Sequence, residues 1–318
     1  MSSSTKIIIT GASGFIGRHC INAIAKNPNY QIIAIGRKPC NYYFDYQNVS
    51  YLQLDLSKNI PTLQCDICIH SAGLADDRSD KNLLYKNNIF ATQNLINSIK
   101  GCQKFIFISS SSIYNFDDQI IKSEEDVDLS SHISDYGRSK LLAEKIVIES
   151  SIPSKIILRP RAVYGKYDQV LMPRIQSLIK KHVVFNLAFL NKKSSFTYIN
   201  NLINSILTIL NLKLNGTLIY NICDDNPIEL KEVFSLLLSN KNILKNRLSI
   251  QVPKWLIQTI VLLFPKNKLI SNQSYHYLNQ HSILDNRKIK TELGIDCNYS
   301  IIDFLNKMNN EGQKSLHN

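Results

Sequence analysis

The feature that most constrains this chain is a glycine loop. Thr10-Gly11-Ala12-Ser13-Gly14-Phe15-Ile16-Gly17 follows a short apolar strand over 6–10 and opens a helix over 15–26. In that setting each glycine has its own physical duty. Gly11 permits a tight turn, Gly14 lets the backbone approach a diphosphate, and Gly17 lets the helix pack close to the sheet. Free N–H groups and the dipole at the helix start favour negative charge, so Ser13, Phe15 and Ile16 join the glycines as expected contacts of a dinucleotide.

Such a loop needs a sheet to carry it. Strand patterns over 31–35, 66–70, 104–109 and 155–158 alternate with helical patterns over 82–99 and 136–150. Strands alternating with helices imply βαβ units and a parallel sheet covered on both faces, so the expected class is α/β, a Rossmann-type doubly wound sheet. After Arg159 the rhythm changes: helical patterns over 171–181, 200–212 and 230–238 flank isolated strands such as 218–222. The expected division is 1–165 for a dinucleotide and 166–318 for a smaller, mainly substrate-binding α/β part, with strands near 195–222 free to rejoin the first. The apolar run 255–264 is too short to span a bilayer and reads as a core helix, contact with a membrane surface being the alternative. The polar tail after 309 reads as frayed.

Composition narrows the partners. The chain has 318 residues, 44% of them apolar, enough for a substantial core. A net charge of +12 admits nucleic acid, a membrane surface or a polyanionic small molecule. The lysines are scattered and no nucleic-acid motif is visible, so a solvated surface and a nucleotide-type ligand are expected, and no nucleic acid. Seven cysteines without regular spacing point to reduced thiols and a cytoplasmic setting, and the N-terminus does not read as a secretory signal. Cys65 and Cys68 fall three apart on a strand, where they point to opposite faces, so no metal site is expected.

The chemistry rests on Tyr136-Gly137-Arg138-Ser139-Lys140, which sets a phenol and an ammonium four apart on one helix face. A phenol with a pKa of about 10 is a poor base at neutral pH, and a nearby cation favours its ionised form. The same group donates a proton to a carbonyl oxygen as hydride arrives, or takes one from an alcohol as hydride leaves. The strand over 104–109 runs into Ser110-Ser111-Ser112-Ile113-Tyr114, and its end is where ligands of doubly wound sheets bind, so one of these hydroxyls is placed to hold the reacting oxygen. The second strand ends at Gly36-Arg37-Lys38 with no carboxylate before Asp45. An acidic residue near this point grips a ribose 2′-OH, whereas an arginine pairs with a 2′-phosphate, so Arg37 favours NADP over NAD.

Taken together, Gly11-x-x-Gly14-x-x-Gly17, His70-Ser71-Ala72-Gly73, Ser109-Ser110 before Ile113-Tyr114 and Tyr136-x-x-x-Lys140 resemble the extended short-chain dehydrogenase/reductase superfamily. Within it the chain is similar to the NAD-dependent epimerase/dehydratase family of nucleotide-sugar enzymes. Arg159-Pro160-Arg161-Ala162-Val163-Tyr164-Gly165, Tyr220-Asn221-Ile222 and the stretch 284–294 agree with that family's later landmarks. The resemblance implies Ser110 as the catalytic serine (Ser111 as fallback), Tyr136 as acid/base, and Lys140 lowering its pKa while holding the nicotinamide ribose. It also implies Asp55 and Leu56 near the adenine, with Ser71, Ala72, Gly73 and Asn88 around the cofactor. Three departures stand out: Asn200-Asn201 replaces the usual aspartate after Phe196-Thr197-Tyr198-Ile199, Lys166-Tyr167-Asp168 follows Gly165 in place of Pro-Gly, and Asn115 stands where glycine is common.

The resulting expectation is an NAD(P)-dependent nucleotide-sugar 4-epimerase or 4-ketoreductase whose substrate is a nucleoside-diphosphate sugar. Ser111, Arg161, Arg174, Lys192 and Lys193 are candidate substrate contacts, and a homodimer is the assembly to test for. A 4,6-dehydratase is disfavoured by Ser111-Ser112, where that subgroup carries an acidic pair. A steroid-like or flavonoid-like substrate stays open, and a non-catalytic dinucleotide-binding regulator is opposed by the intact Tyr136 and Lys140.

Overall fold

Three successive isoleucines, Ile7, Ile8 and Ile9, are wholly buried in the first strand, β1 (Thr5–Thr10). Successive side chains of a strand point to opposite faces, so an unbroken β-branched run requires cover on both sides. Ile7 and Ile9 pack with Cys20, Ile21 and Ile24 of α1 (Phe15–Ile24) and with Leu202, Ile206 and Ile209, further along the chain. Ile8 enters the opposite core with Leu95, Phe105, Phe107, Ala143 and Val147. Each such side chain contributes roughly 1.5–3 kcal/mol on burial, and the result is a helix–sheet–helix sandwich. This is seen in a computed structural model, which describes residues 4–39, 46–116, 121–128, 133–173, 183–187, 191–239, 248–263 and 280–314.

The main sheet adds β2 (Tyr30–Gly36), β3 (Val49–Gln53), β4 (Ile67–His70), β5 (Lys104–Ile108), β6 (Ser154–Pro160) and β7 (Gly216–Ile222). Its order is β7-β6-β5-β4-β1-β2-β3 and every pairing is parallel, so this is a Rossmann-type α/β fold. The winding reverses between β1 and β4, the point at which such sheets bind ligands beyond the strand ends. Thr10 and His70 face each other there in register.

Helices α2 (Lys81–Leu84), α3 (Ala91–Ser98) and α4 (Asp135–Glu149) belong to this half, and α5 (Ile199–Asn211) covers the α1 side. Beyond β7 lie α6 (Leu230–Ser239), α7 (Lys254–Leu263), α8 (Arg287–Leu293) and α9 (Ile301–Lys314). A further core of Tyr164, Phe196, Val233, Phe234, Ile301 and Leu305 joins α6 to α9.

Four differences from the sequence reading have physical causes. The helix expected over 82–99 contains a π-helical turn, Tyr85–Phe90, between α2 and α3. β3 was not expected, because Val-Ser-Tyr-Leu-Gln is a half-buried edge strand with no apolar run. The polar tail after 309 continues α9 to Lys314, since a helix already nucleated gains a hydrogen bond with each added residue. The run expected as a core helix is α7, whose Trp255 and Leu262 face solvent. Of the helix expected over 171–181, only 171–173 lie within the described residues.

Lys104 ties the sheet to α5. Its buried Nζ donates to the carbonyls of Ile209 (2.7 Å), Leu210 (3.1 Å) and Leu212 (2.7 Å), closing the helix end where a cation also meets the dipole favourably. Replacing it leaves three carbonyls without that donor. Lys104→Met is expected to lower stability by about 2 kcal/mol, measured as a fall in the urea midpoint with an unchanged slope.

Candidate active site

The glycine loop is built as its spacing requires. Gly11 lies at φ +71°, and a Cβ there would stand 2.8 Å from the Ala72 nitrogen. A Cβ on Gly17 would overlap the Gly11 carbonyl, so the third glycine lets α1 close on the turn. The start of α1 has no side-chain cap and no acid in its first turn, which leaves its amides and dipole for an external anion. A cleft over this point is lined by Gly11, Ser13, Gly14, Arg37, Asp55, Leu56, Ser71, Ala72 and Gly73. Phe15, Ile16 and Gly17 lie in the helix behind it. Ile35, Gly36, Leu54, Ser57, Asn87 and Ala91 also line the cleft and were not foreseen. Narrow glycine turns, an uncapped helix start and a groove leading away from them fit a dinucleotide.

At the far end, the Arg37 Nη1 donates to Asn87 Oδ1 at 2.6 Å. Asp55 accepts from the Ser57 hydroxyl (2.8 Å) and amide (3.0 Å); the hydroxyl bond chiefly holds its carboxyl below the usual range, with a smaller contribution from Arg37. No carboxylate follows β2 among the described residues of that turn.

Tyr136 and Lys140 sit on the first turns of α4, which Ser134 caps by accepting from the Gly137 amide at 2.7 Å. Gly137 is a close-approach glycine: a Cβ there would overlap the Ser112 carbonyl, so the helix start rests directly on the serine loop. Tyr136 is half-buried. Lys140 is 5% exposed; its Nζ donates to the Ile108 carbonyl at 2.7 Å and lies 4.2 Å from the centre of the Phe107 ring. Burial pushes its pKa down to about 7, while the Glu144 carboxylate pulls the other way.

The four serines divide their tasks. Ser109 donates to Glu144, and Ser110 is half-buried and accepts from the Ser112 amide at 3.2 Å. Ser111 is buried, with its hydroxyl 3.5 Å from Nη1 of Arg161.

Behind the cleft, the π-helical turn directs two adjacent asparagines inward. Asn87 meets Arg37, while Asn88 accepts from the Leu74 amide (2.7 Å) and donates to Ser139 Oγ (2.8 Å), one residue from Lys140. Next to them His70 Nδ1 lies 2.7 Å from Thr10 Oγ1 and Nε2 lies 2.9 Å from Thr92 Oγ1. Burial first, and the nearby Lys140 second, push the His70 pKa down to about 3, so the ring is neutral. Thr92 spends its proton on the Asn88 carbonyl at 2.6 Å, so Nε2 carries the ring proton and Nδ1 accepts from Thr10.

Glu144, one turn beyond Lys140, is held by a two-pronged bond from Arg159: Nη2 to Oε2 at 2.7 Å and Nε to Oε1 at 3.1 Å. Arg159 Nη1 reaches the Tyr114 hydroxyl (2.8 Å), and Tyr114 donates to Asn221 Oδ1 at 2.7 Å. The buried Arg161 donates to Ser194 (3.2 Å) and Ser282 and covers the Phe116 ring at 4.9 Å. Its neighbour Ala162 is held at φ +46°, a left-handed backbone that non-glycine residues adopt only under constraint. Lys193 is exposed on a short strand paired with Glu229, and Lys192 is half-buried beside it. Arg174 lies outside the described residues.

The family model described as NAD dependent epimerase/dehydratase family matches residues 7–223. Human sterol-4-alpha-carboxylate 3-dehydrogenase, decarboxylating, is 26% identical over 257 residues, covering 76% of this chain and 68% of the relative. UDP-glucose 4-epimerase of Vibrio cholerae is 24% identical, covering 83% of this chain and 84% of the relative. Among solved structures, UDP-glucuronic acid 4-epimerase from Bacillus cereus in complex with UDP-glucuronic acid and NAD superposes with a TM-score of 0.74 at 24% identity, covering 98% of this chain and 99% of that one.

The buried lysine gives a pH signature. Lys140 keeps its proton up to its ordinary pKa of 10.5 in the unfolded chain and to about 7 in the folded one. Between those values the unfolded state binds more protons, so stability rises with pH, by at most about 1.4 kcal/mol per pH unit. Lys140→Met is expected to remove that part of the slope, as read from urea unfolding across this range; an unchanged slope would show that the ammonium is not depressed.

Proposed function

The chain belongs to the NAD dependent epimerase/dehydratase family, and on that premise we propose that it is a nucleotide-sugar 4-epimerase. It is an enzyme of the extended short-chain dehydrogenase/reductase type. The observation that carries the sugar reading is the polar cluster behind the serine loop: the buried Arg161 reaches Ser111, Ser194 and Ser282, a cationic, hydroxyl-rich packing that favours a polar substrate nearby over a sterol skeleton. The UDP-sugar complexes among the structural neighbours support the same reading.

The residues divide the work as follows. Tyr136 takes the proton from the sugar C4 hydroxyl and later returns it. Lys140 stabilises the ionised phenol, and Ser110, the half-open hydroxyl of its loop, holds the reacting oxygen. The dinucleotide, when bound, supplies a nicotinamide that accepts and returns hydride. Gly11, Ser13 and Gly14 with the start of α1 hold its diphosphate, and Asp55 and Leu56 border the adenine. Arg161, 3.5 Å from the Ser111 hydroxyl, is the candidate cation on the substrate side.

Incubation with UDP-glucose, UDP-galactose and their uronic acid and N-acetyl analogues, followed by chromatography, is expected to give an equilibrium mixture of C4 epimers without net cofactor consumption. Oxidation of 3β-hydroxysterols with no change in any nucleotide sugar would overturn the reading. Tyr136→Phe is expected to lower kcat by at least about a hundredfold with dinucleotide binding retained; unchanged turnover would remove Tyr136 from the mechanism.

Arg37 favours a second reading, a 4-ketoreductase that consumes NADPH, because its guanidinium lines the cleft where a 2′-phosphate would lie. Arg37→Asp is then expected to shift the NADP-to-NAD affinity ratio by at least about tenfold towards NAD, measured by calorimetric titration. An unchanged ratio, with tightly bound NAD in the purified protein, leaves the epimerase reading alone.

A further inference from the structure

Helix α7 presents a continuous apolar stripe to solvent. Trp255 is 65% exposed, Leu256 37%, Leu262 80% and Leu263 66%. With the exposed Thr259 they fall at i, i+1, i+4, i+7 and i+8, one face of a single helix. The stripe carries no charge, and the one hydroxyl on it is turned back to the Trp255 carbonyl at 2.9 Å. Isolated exposed leucines are ordinary, but a tryptophan and three leucines in one row mark a surface that something covers.

The sequence around the stripe indicates what covers it. From Val233 to Leu284 there is no aspartate or glutamate, while Lys241, Lys245, Arg247, Lys254, Lys266 and Lys268 supply half of the chain's net charge of +12. A cationic, carboxylate-free stretch of chain bearing an apolar helix face complements a surface that is anionic outside and apolar just beneath. A tryptophan at the first turn suits the boundary between the two, its ring being apolar and its N–H polar. With ten residues, α7 is about 15 Å long, half a bilayer core, and no described helix is long and apolar enough to cross a membrane. We propose that α7 lies flat on an anionic bilayer surface, inserting Trp255, Leu256, Leu262 and Leu263 among the head groups and so holding the enzyme at a membrane. This is independent of the substrate assignment.

Trp255 is the only tryptophan of the chain, so its emission reports the stripe without a label. The full-length protein is titrated with vesicles of phosphatidylcholine alone and of phosphatidylcholine mixed with phosphatidylglycerol. The mixed vesicles are expected to shift the emission to the blue and to carry the protein upward in flotation, an effect weakened by salt. Combining Leu262→Glu with Leu263→Glu is expected to reduce partitioning at least about tenfold, with circular dichroism unchanged because both side chains face solvent. Absence of shift and flotation with mixed vesicles overturns the proposal, as does undiminished binding by the double variant. A blue shift without vesicles that tracks self-association, or that follows addition of a DNA duplex, also overturns it in favour of a second copy or nucleic acid.

Discussion

The carboxylate of Glu144 is where the Tyr136–Lys140 helix, the serine loop and β6 are pinned together. The guanidinium of Arg159 grips it from the end of β6, and the Ser109 hydroxyl reaches it from the end of β5. An ion pair at this depth gives back much of its attraction in lost hydration, so its worth lies less in net stability than in geometry; removing one partner would leave a charge stranded, at a cost of about 3–5 kcal/mol. Glu144 stands one turn from Lys140 and two from Tyr136, so the pair fixes the rotation of α4 about its axis. Ser109 immediately precedes the proposed catalytic serine. One buried carboxylate therefore sets both the helix that carries phenol and ammonium and the loop that carries the hydroxyl.

The brace extends through Tyr114 to Asn221 on β7, whose amide nitrogen donates to the carbonyls of Lys122 and Asp285 at 3.1 Å. The late stretch 284–294 is thereby joined to the serine loop by side chains, not by chain continuity. The missing aspartate after Ile199 fits the same pattern. Asn201 donates to Asp224 Oδ1 at 2.9 Å, and Tyr164 and the Tyr198 amide donate to the same carboxyl. Burial pushes the Asp224 pKa up to about 7, so a second carboxylate at 201 would face one already costly to ionise. The acid is present here, but on the other side of the contact.

What was legible in the sequence was local in cause. Gly11 and Gly17 are required by a turn and a helix within eight residues of each other, and the strand–helix alternation follows from burial on both sheet faces. What escaped notice depends on distant partners. Gly137 is needed because Ser112 lies beneath it, and Glu144 reads as one more polar residue on a helix until Arg159 is brought alongside. The π-helical turn at Tyr85–Phe90 answers to contacts of Asn87 and Asn88 with Arg37, Leu74 and Ser139. Helix α7 has the composition of a core element, and only the exposure of Trp255, Leu262 and Leu263 reveals that its stripe is uncovered.

The hydrogen-bond row through His70 has a direction. It starts at the Ala72 amide, 3.1 Å from Thr10 Oγ1, and ends at the Asn88 carbonyl, an obligate donor at one end and an obligate acceptor at the other. Every proton between them points the same way, so the row cannot be reversed and its dipoles reinforce one another. The histidine is therefore a rigid spacer and not a proton conduit, silent in any titration of the enzyme near neutrality. A side chain able to take its place must accept on one side and donate on the other at the same span, which glutamine's amide does and glutamate's ionised carboxylate does not.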